Sequence, residues 1–111
     1  MNLSQLRIVA DEREKKSGIP SLLKGIGINL EIKTLSIGDY IVAPETVVER
    51  KTIRDLLSSV FDGRLFDQCS RLIEHYQYPI LLIEGNVDEI EELTDNPLIF
   101  YGALSTVALE S

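Results

Sequence analysis

The sequence predicts an α/β fold: a mixed sheet flanked by helices in three layers. Three observations predict it. Strand-like and helix-like periodicities alternate along the chain. Two strand-like runs flank a short turn and so pair antiparallel. A late segment, "PILLIEG", is continuously apolar, as a fully buried central strand would be.

The elements follow in order. "LRIVA", residues 6–10, reads as the first strand, and "DEREKKSGIP" as a charged loop after it. "SLLKGIG" is a short helix, with Leu22, Leu23 and Ile26 on one face and Gly25 or Gly27 to stop it. "NLEIKTL" alternates, Leu30 and Ile32 against Glu31 and Lys33, which marks a half-buried strand. "SIGDY" interrupts, and "YIVAP" resumes as a strand. "APET" turns the chain, with Pro44 at an early turn position, and "TVVERK" returns.

Thr52 then caps a helix over residues 53–60, and "FDG" ends it. "RLFDQCSRLIEHY" is a second helix with Leu65, Phe66, Cys69, Leu72, Ile73 and Tyr76 on one face. Its other face carries Arg64, Asp67, Gln68, Arg71 and Glu74. After "PILLIEG" comes a short acidic turn or helix, "NVDEIEEL". Asn96 and Pro97 start a final helix, which reaches the chain end with no clear cap. That predicts a domain continuing past residue 111.

Composition narrows the function. The 111 residues suit one domain, and 44 % apolar with 26 % charged residues is ordinary for a soluble globular protein. No segment reads as a signal peptide, and the longest apolar run, "PILLI", falls far short of the roughly 20 residues that cross a bilayer. No membrane partner is expected. Cys69 is the sole cysteine, which excludes an internal disulfide and a cysteine-rich metal cluster and makes an intracellular location the default. The net charge of −7 argues against nonspecific nucleic-acid binding, because phosphate contact needs clustered Lys and Arg. Any nucleic-acid site must be local.

One local constellation carries chemistry. Asp39 and Glu49 stand at similar distances from the turn at Pro44, so the hairpin can set them opposite each other. Glu49 and Lys51 are two apart on a strand and share a face, while Arg50 points to the other. Two carboxylates that close repel unless a proton or cation lies between them. With a lysine beside them, they suit metal-assisted phosphodiester hydrolysis. The competing reading is a solvated hairpin with a surface Glu–Lys pair.

Asp11, Arg13 and Glu14 follow the first strand, where α/β sheets place their sites; a charged surface loop looks the same. Asp55 adds an acid near the mouth of the hairpin, or is only a first-turn helix acid. Arg64, Gln68 and Arg71 lie near one helical stripe and suit phosphates, or merely a solvated face. His75 reads as a surface or capping residue, and Cys69 as core.

The run "GDY…VERKTIRDL" resembles the GD…ERKxxxD signature of XPF-type structure-specific endonucleases: Gly38 and Asp39, then Glu49, Arg50 and Lys51, then Asp55. The upstream D-x-R-E element matches Asp11, Arg13 and Glu14, and an S…DGR…Q element matches Ser59, Asp62, Gly63, Arg64 and Gln68. The resemblance runs from about Arg7 to Leu109. It implies a restriction-endonuclease-like fold and Mg²⁺- or Mn²⁺-dependent cleavage of branched DNA: 3′ flaps, splayed arms or forks, near the duplex–single-strand junction.

By the same resemblance, Asp39 and Glu49 are the main metal ligands, with the Arg50 carbonyl completing the shell. Lys51 serves the water and the transition state. Asp11 and Glu14 support the metal or hold a second ion, and Asp55 lies in the outer acidic shell. Arg13, Arg50, Arg64 and Gln68 are the implied DNA-facing residues. The family's dimers imply a homodimer, and its tandem helix-hairpin-helix module is missing from this sequence. The apolar segment from Pro97 through Leu98, Ile99, Phe100, Tyr101, Leu104 and Val107 to Leu109 is the candidate interface, or an ordinary core helix. Two further readings compete: a non-catalytic nuclease-like scaffold for dimerisation or DNA binding, and a junction resolvase on the same fold.

Overall fold

A computed structural model describes residues 2–102 and 104. Five strands form one sheet: β1 (Arg7–Asp11), β2 (Asn29–Lys33), β3 (Tyr40–Ala43), β4 (Thr46–Thr52) and β5 (Tyr78–Glu84), in the order β2-β1-β3-β4-β5. The outer pairs, β1 with β2 and β4 with β5, are parallel. The inner pairs are antiparallel, with β3 and β4 joined by the turn at Pro44 and Glu45. The sheet is mixed, as expected.

Helices α1 (Ile19–Gly25), α2 (Ile53–Phe61), α3 (Leu65–His75) and α4 (Asp88–Leu93) flank it. The main hydrophobic cluster lies on one side of the sheet. Ile53, Leu56 and Leu57 of α2 meet Leu65 and Cys69 of α3, Ile90 of α4 and Phe100. Leu81 and Ile83 of β5 and Leu104 pack against that cluster. Leu56 is fully buried, so truncation to alanine there costs about 2–5 kcal/mol. On the opposite side, α1 brings Pro20 and Ser21 over Ile32 of β2.

Several expectations shift. The first strand starts and ends one residue later, which takes Asp11 into the sheet. The charged segment after it is a 3₁₀ turn, Glu12–Ser17, because the Asp11 side chain accepts from the Arg13 N–H and caps it. Helix α1 begins before Pro20, which suits its first turn since proline has no N–H to lose. The α2 expectation holds: Thr52 Oγ1 accepts from the Asp55 N–H at 3.0 Å.

The "PILLIEG" strand is not fully buried or central. It pairs with β4 on one side only among the described residues, and Ile80 and Leu82 are 45 % and 48 % exposed. Only its alternate residues, Leu81 and Ile83, face helices. A continuous apolar run therefore marks one covered face here and one uncovered face. The final helix begins at residue 98, with Asn96 Oδ1 accepting from the Leu98 N–H at 3.2 Å. Phe100 and Leu104 join the core, while Leu98 and Tyr101 face outward. Val107 and Leu109 lie outside the described residues.

Candidate active site

The site begins with a glycine. Gly38 has φ +90°, and a Cβ there would fall 2.2 Å from Val47 Cγ2. Only glycine fits both constraints. The Tyr76 hydroxyl donates to the Ile37 carbonyl at 3.0 Å and holds the same loop against α3. The next residue, Asp39, is thereby set beside β4.

Extending the Tyr40–Val48 register by one step puts Asp39 opposite Glu49, as the hairpin predicts. Asp39 precedes the paired residues of β3, and its N–H donates to the Val48 carbonyl at 3.0 Å. The Asp39 carboxylate is aimed by the Arg50 N–H, which donates to Oδ2 at 2.8 Å. The Asp39 and Glu49 side chains lie close enough to shift each other's proton affinity. Burial raises the pKa of Asp39, and the charge of Glu14 adds to it against the Arg50 N–H. Burial also raises Glu49, and the Asp39 charge beside it carries its pKa up to about 7. Both shifts favour holding a proton or a cation between the two carboxyls.

Glu49 and Lys51 do share a face, and that face opens into a groove of about 380 Å³ between the sheet and α3. Its polar lining comprises Arg13, Ser36, Asp39, Glu49, Lys51, Gln68 and Arg71. Lys51 Nζ donates to Gln68 Oε1 at 2.8 Å, so α3 fixes the ammonium over the groove. Arg71 reaches the groove while paired with Asp67 one helical turn back, at 3.2 Å.

Arg13 lines the groove from the other wall. Its Nε donates to Asp11 Oδ2 at 2.6 Å and its Nη2 to the Leu35 carbonyl at 3.1 Å. Asp11 itself is fully buried, and its Oδ1 accepts from the Leu35 N–H at 2.7 Å. Both Asp11 oxygens are occupied by protein donors, and Asp11 does not line the groove. Its observed work is to hold Arg13.

Arg50 points to the opposite face, as strand alternation requires. There it forms a fork on Glu84, with Nε to Oε1 and Nη2 to Oε2, the latter at 3.0 Å. Its Nη1 donates to Glu14 Oε1 at 2.6 Å. The side chain is spent on two carboxylates, so the expectation that it faces DNA is corrected; only its backbone N–H serves Asp39. Asp55 lines a second pocket with Glu14, Arg50, Lys51, Thr52 and Glu84, and not the Asp39 groove; Lys51 borders both. Asp55 stands in the first turn of α2, beyond the end of β4. Arg64 also misses the groove: it is exposed and pairs with Asp62 at 3.0 Å.

The convergent acids are thus Asp39 and Glu49. Among the described residues, no three His, Cys, Asp or Glu side chains gather as a metal cage. Glu14 is held by Arg50 and Asp11 by Arg13, which removes both from the expected ligand group as it stands. Residues missed by sequence reasoning include Ser36, Tyr76 and Glu84. Glu84 had a signal: it is a charge at the end of an apolar strand, like the Glu49–Lys51 run itself.

Comparison with known proteins shows the family and matches the fold. The ERCC4 domain family matches residues 10–111. The chain is 46 % identical over 105 residues to the 3′-flap repair endonuclease Xpf of Saccharolobus solfataricus, covering 95 % of this chain and 45 % of that protein. It is 48 % identical over 83 residues to the DNA repair endonuclease XPF of Mus musculus, covering 75 % of this chain and 9 % of that protein. A solved structure of XPF from Aeropyrum pernix in complex with DNA superposes with a TM-score of 0.86 at 38 % identity, covering 95 % of this chain and 52 % of that one. The chain therefore spans about half the length of these archaeal relatives and a small part of the mouse protein.

Proposed function

The chain belongs to the ERCC4 domain family, and on that premise we propose that it is the nuclease domain of a structure-specific DNA endonuclease. Its substrate is branched DNA, a 3′ flap, splayed arm or fork, cut near the duplex–single-strand junction. The observation that carries this reading is the Asp39–Glu49 pair with Lys51 across the same groove.

The donor set fits Mg²⁺ or Mn²⁺. Two half-buried, hard oxygen donors that compete for one proton gain from a divalent cation, and Mg²⁺ binds through one or two carboxylates while keeping its waters. Asp39 and Glu49 would hold it. Bound there, the ion supplies Lewis-acid polarisation of the phosphodiester and hydroxide near neutral pH.

The protein's own residues do the rest. The Arg50 N–H keeps Asp39 turned toward Glu49. Lys51, steadied by Gln68, places a positive charge where negative charge grows on the phosphorus oxygens in the transition state. Arg13, clamped by Asp11 and Leu35, and Arg71 flank the groove as phosphate contacts. These local cations offset a net charge of −7 that would otherwise repel DNA. Pairing with a second copy belongs to the same proposal, with Leu98 and Tyr101 as the outward apolar residues of the final segment.

The test is cleavage of an end-labelled 3′-flap duplex with Mg²⁺ or Mn²⁺ by the full-length protein. Wild type is compared with Asp39→Asn and Lys51→Ala. Wild type should cut at least about 100-fold faster than either. Equal rates for all three would overturn the nuclease reading and favour a non-catalytic scaffold.

A further inference from the structure

We propose that Glu84, at the end of β5, is a positioning residue for the Asp39 carboxylate and acts through Arg50. The inference rests on the nuclease reading above and adds a residue that lies outside the GD…ERKxxxD run.

Three contacts form a chain across the sheet. Glu84 grips the Arg50 guanidinium with both carboxylate oxygens, a side-on fork that fixes the plane as well as the position of the group. Glu14 holds the remaining terminus through Nη1 at 2.6 Å. The Arg50 side chain is only 19 % exposed, so these bonds face little competition from water. On the other side of the same residue, the Arg50 N–H donates to Asp39 Oδ2 at 2.8 Å.

Asp39 needs that donor. It lies just before β3, outside the paired residues, and its neighbour across the hairpin is Glu49, a second carboxyl group. A carboxylate facing another carboxylate turns away unless something holds it. The Arg50 peptide holds it, and the orientation of that peptide follows from where the side chain is anchored. Glu84 is the stronger anchor because it contributes two of the three bonds. It also belongs to the neighbouring strand, in parallel register with Thr52, so it ties the end of β4 to the sheet at the level of the site.

A purely structural salt bridge would look similar, so the test separates the two. In the full-length protein, Glu84→Gln should lower kcat on the 3′-flap duplex by about 10–100-fold, the usual effect of removing a support behind a ligand. KM for DNA should stay within about twofold of wild type, since Glu84 is on the face opposite the groove. Mn²⁺ affinity, titrated without DNA, should weaken alongside kcat. Glu84→Asp, which keeps the charge on a shorter stem, should restore part of both.

Ile80→Ala is the structural control. It loosens the same face of the same strand beside Val48, away from the register pair Arg50–Leu82, and it should leave kcat and Mn²⁺ affinity near wild type. The inference is overturned if Glu84→Gln keeps wild-type kcat and Mn²⁺ affinity, or if Ile80→Ala lowers both as much. Wild-type protein that neither cuts nor binds Mn²⁺ would sink the nuclease reading and this inference with it. Wild-type cleavage with unaffected Glu84 variants would sink this inference alone.

Discussion

Gly38 and Val47 are in contact so close that no side chain fits at the first position: a Cβ would stand 2.2 Å from Val47 Cγ2. Val47 is fully buried and cannot yield outward. Gly38→Ala should therefore destabilise by about 2–4 kcal/mol, combining overpacking with a left-handed backbone that alanine resists. Urea unfolding measures it. Adding Val47→Ala should relieve the clash but not the backbone strain, so the double variant should be more stable than the sum of the single losses. Simple additivity would show that the contact is not the cause.

The carboxylate pair gives the protein an unusual pH response. Burial, then the charge of Asp39, raises the pKa of Glu49 from 4.5 to about 7. The folded state thus holds this proton more tightly than the unfolded state. Its stabilising contribution is complete below the unfolded value and is lost as pH rises through the folded one. In EDTA, Tm should fall between about pH 4.5 and pH 7, and Glu49→Gln should flatten that slope. Mn²⁺ should raise Tm most at the upper end, where the pair is ionised. A slope unchanged in Glu49→Gln would mean that another group produces it.

Asp11 has the opposite sign. Burial works to raise its pKa, but hydrogen bonds from Arg13 and Leu35 together outweigh burial and hold the carboxyl below its ordinary 3.8. Its contribution is present above 3.8 and is lost as pH falls through the folded value. Asp11→Asn removes the charge and sets an amide N–H₂ against donors. It should cost about 1–3 kcal/mol at neutral pH and less in acid. Because Arg13 then loses its clamp, KM for DNA should rise more than kcat falls. A variant with full stability at pH 7 would contradict this reading of the buried carboxylate.

What the sequence reveals and conceals follows from the range of each interaction. The hairpin is local, so counting outward from Pro44 placed Asp39 against Glu49, and strand alternation put Lys51 beside Glu49 with Arg50 behind. The helix cap at Thr52 was equally legible. Contacts set by tertiary packing were not. Arg50 meets Glu84 and Glu14 only after the sheet assembles, and Asp55 then falls in the pocket they line rather than in the Asp39 groove. The apolar run of β5 looked central because sequence cannot tell one covered face from two. Asp11 looked like a ligand because a buried clamp and a metal carboxylate share the same residue type.

The Lys51–Gln68 bond, 2.8 Å from Nζ to Oε1, connects the sheet to α3 across the groove and separates two roles. Lys51→Ala removes the charge and should lower kcat by about 100- to 1,000-fold, as loss of one transition-state donor does. Gln68→Ala leaves the charge but frees a flexible side chain. The ammonium then samples several rotamers, and kcat should fall by only about 3- to 10-fold with little change in KM. Both variants keep the core intact, since neither residue belongs to the buried cluster, so Tm should move by no more than a few degrees. In the combined variant the Gln68 effect should vanish, because a residue that only steadies Lys51 has nothing to steady once it is gone. Fully multiplicative losses would instead give Gln68 a direct contact with the DNA.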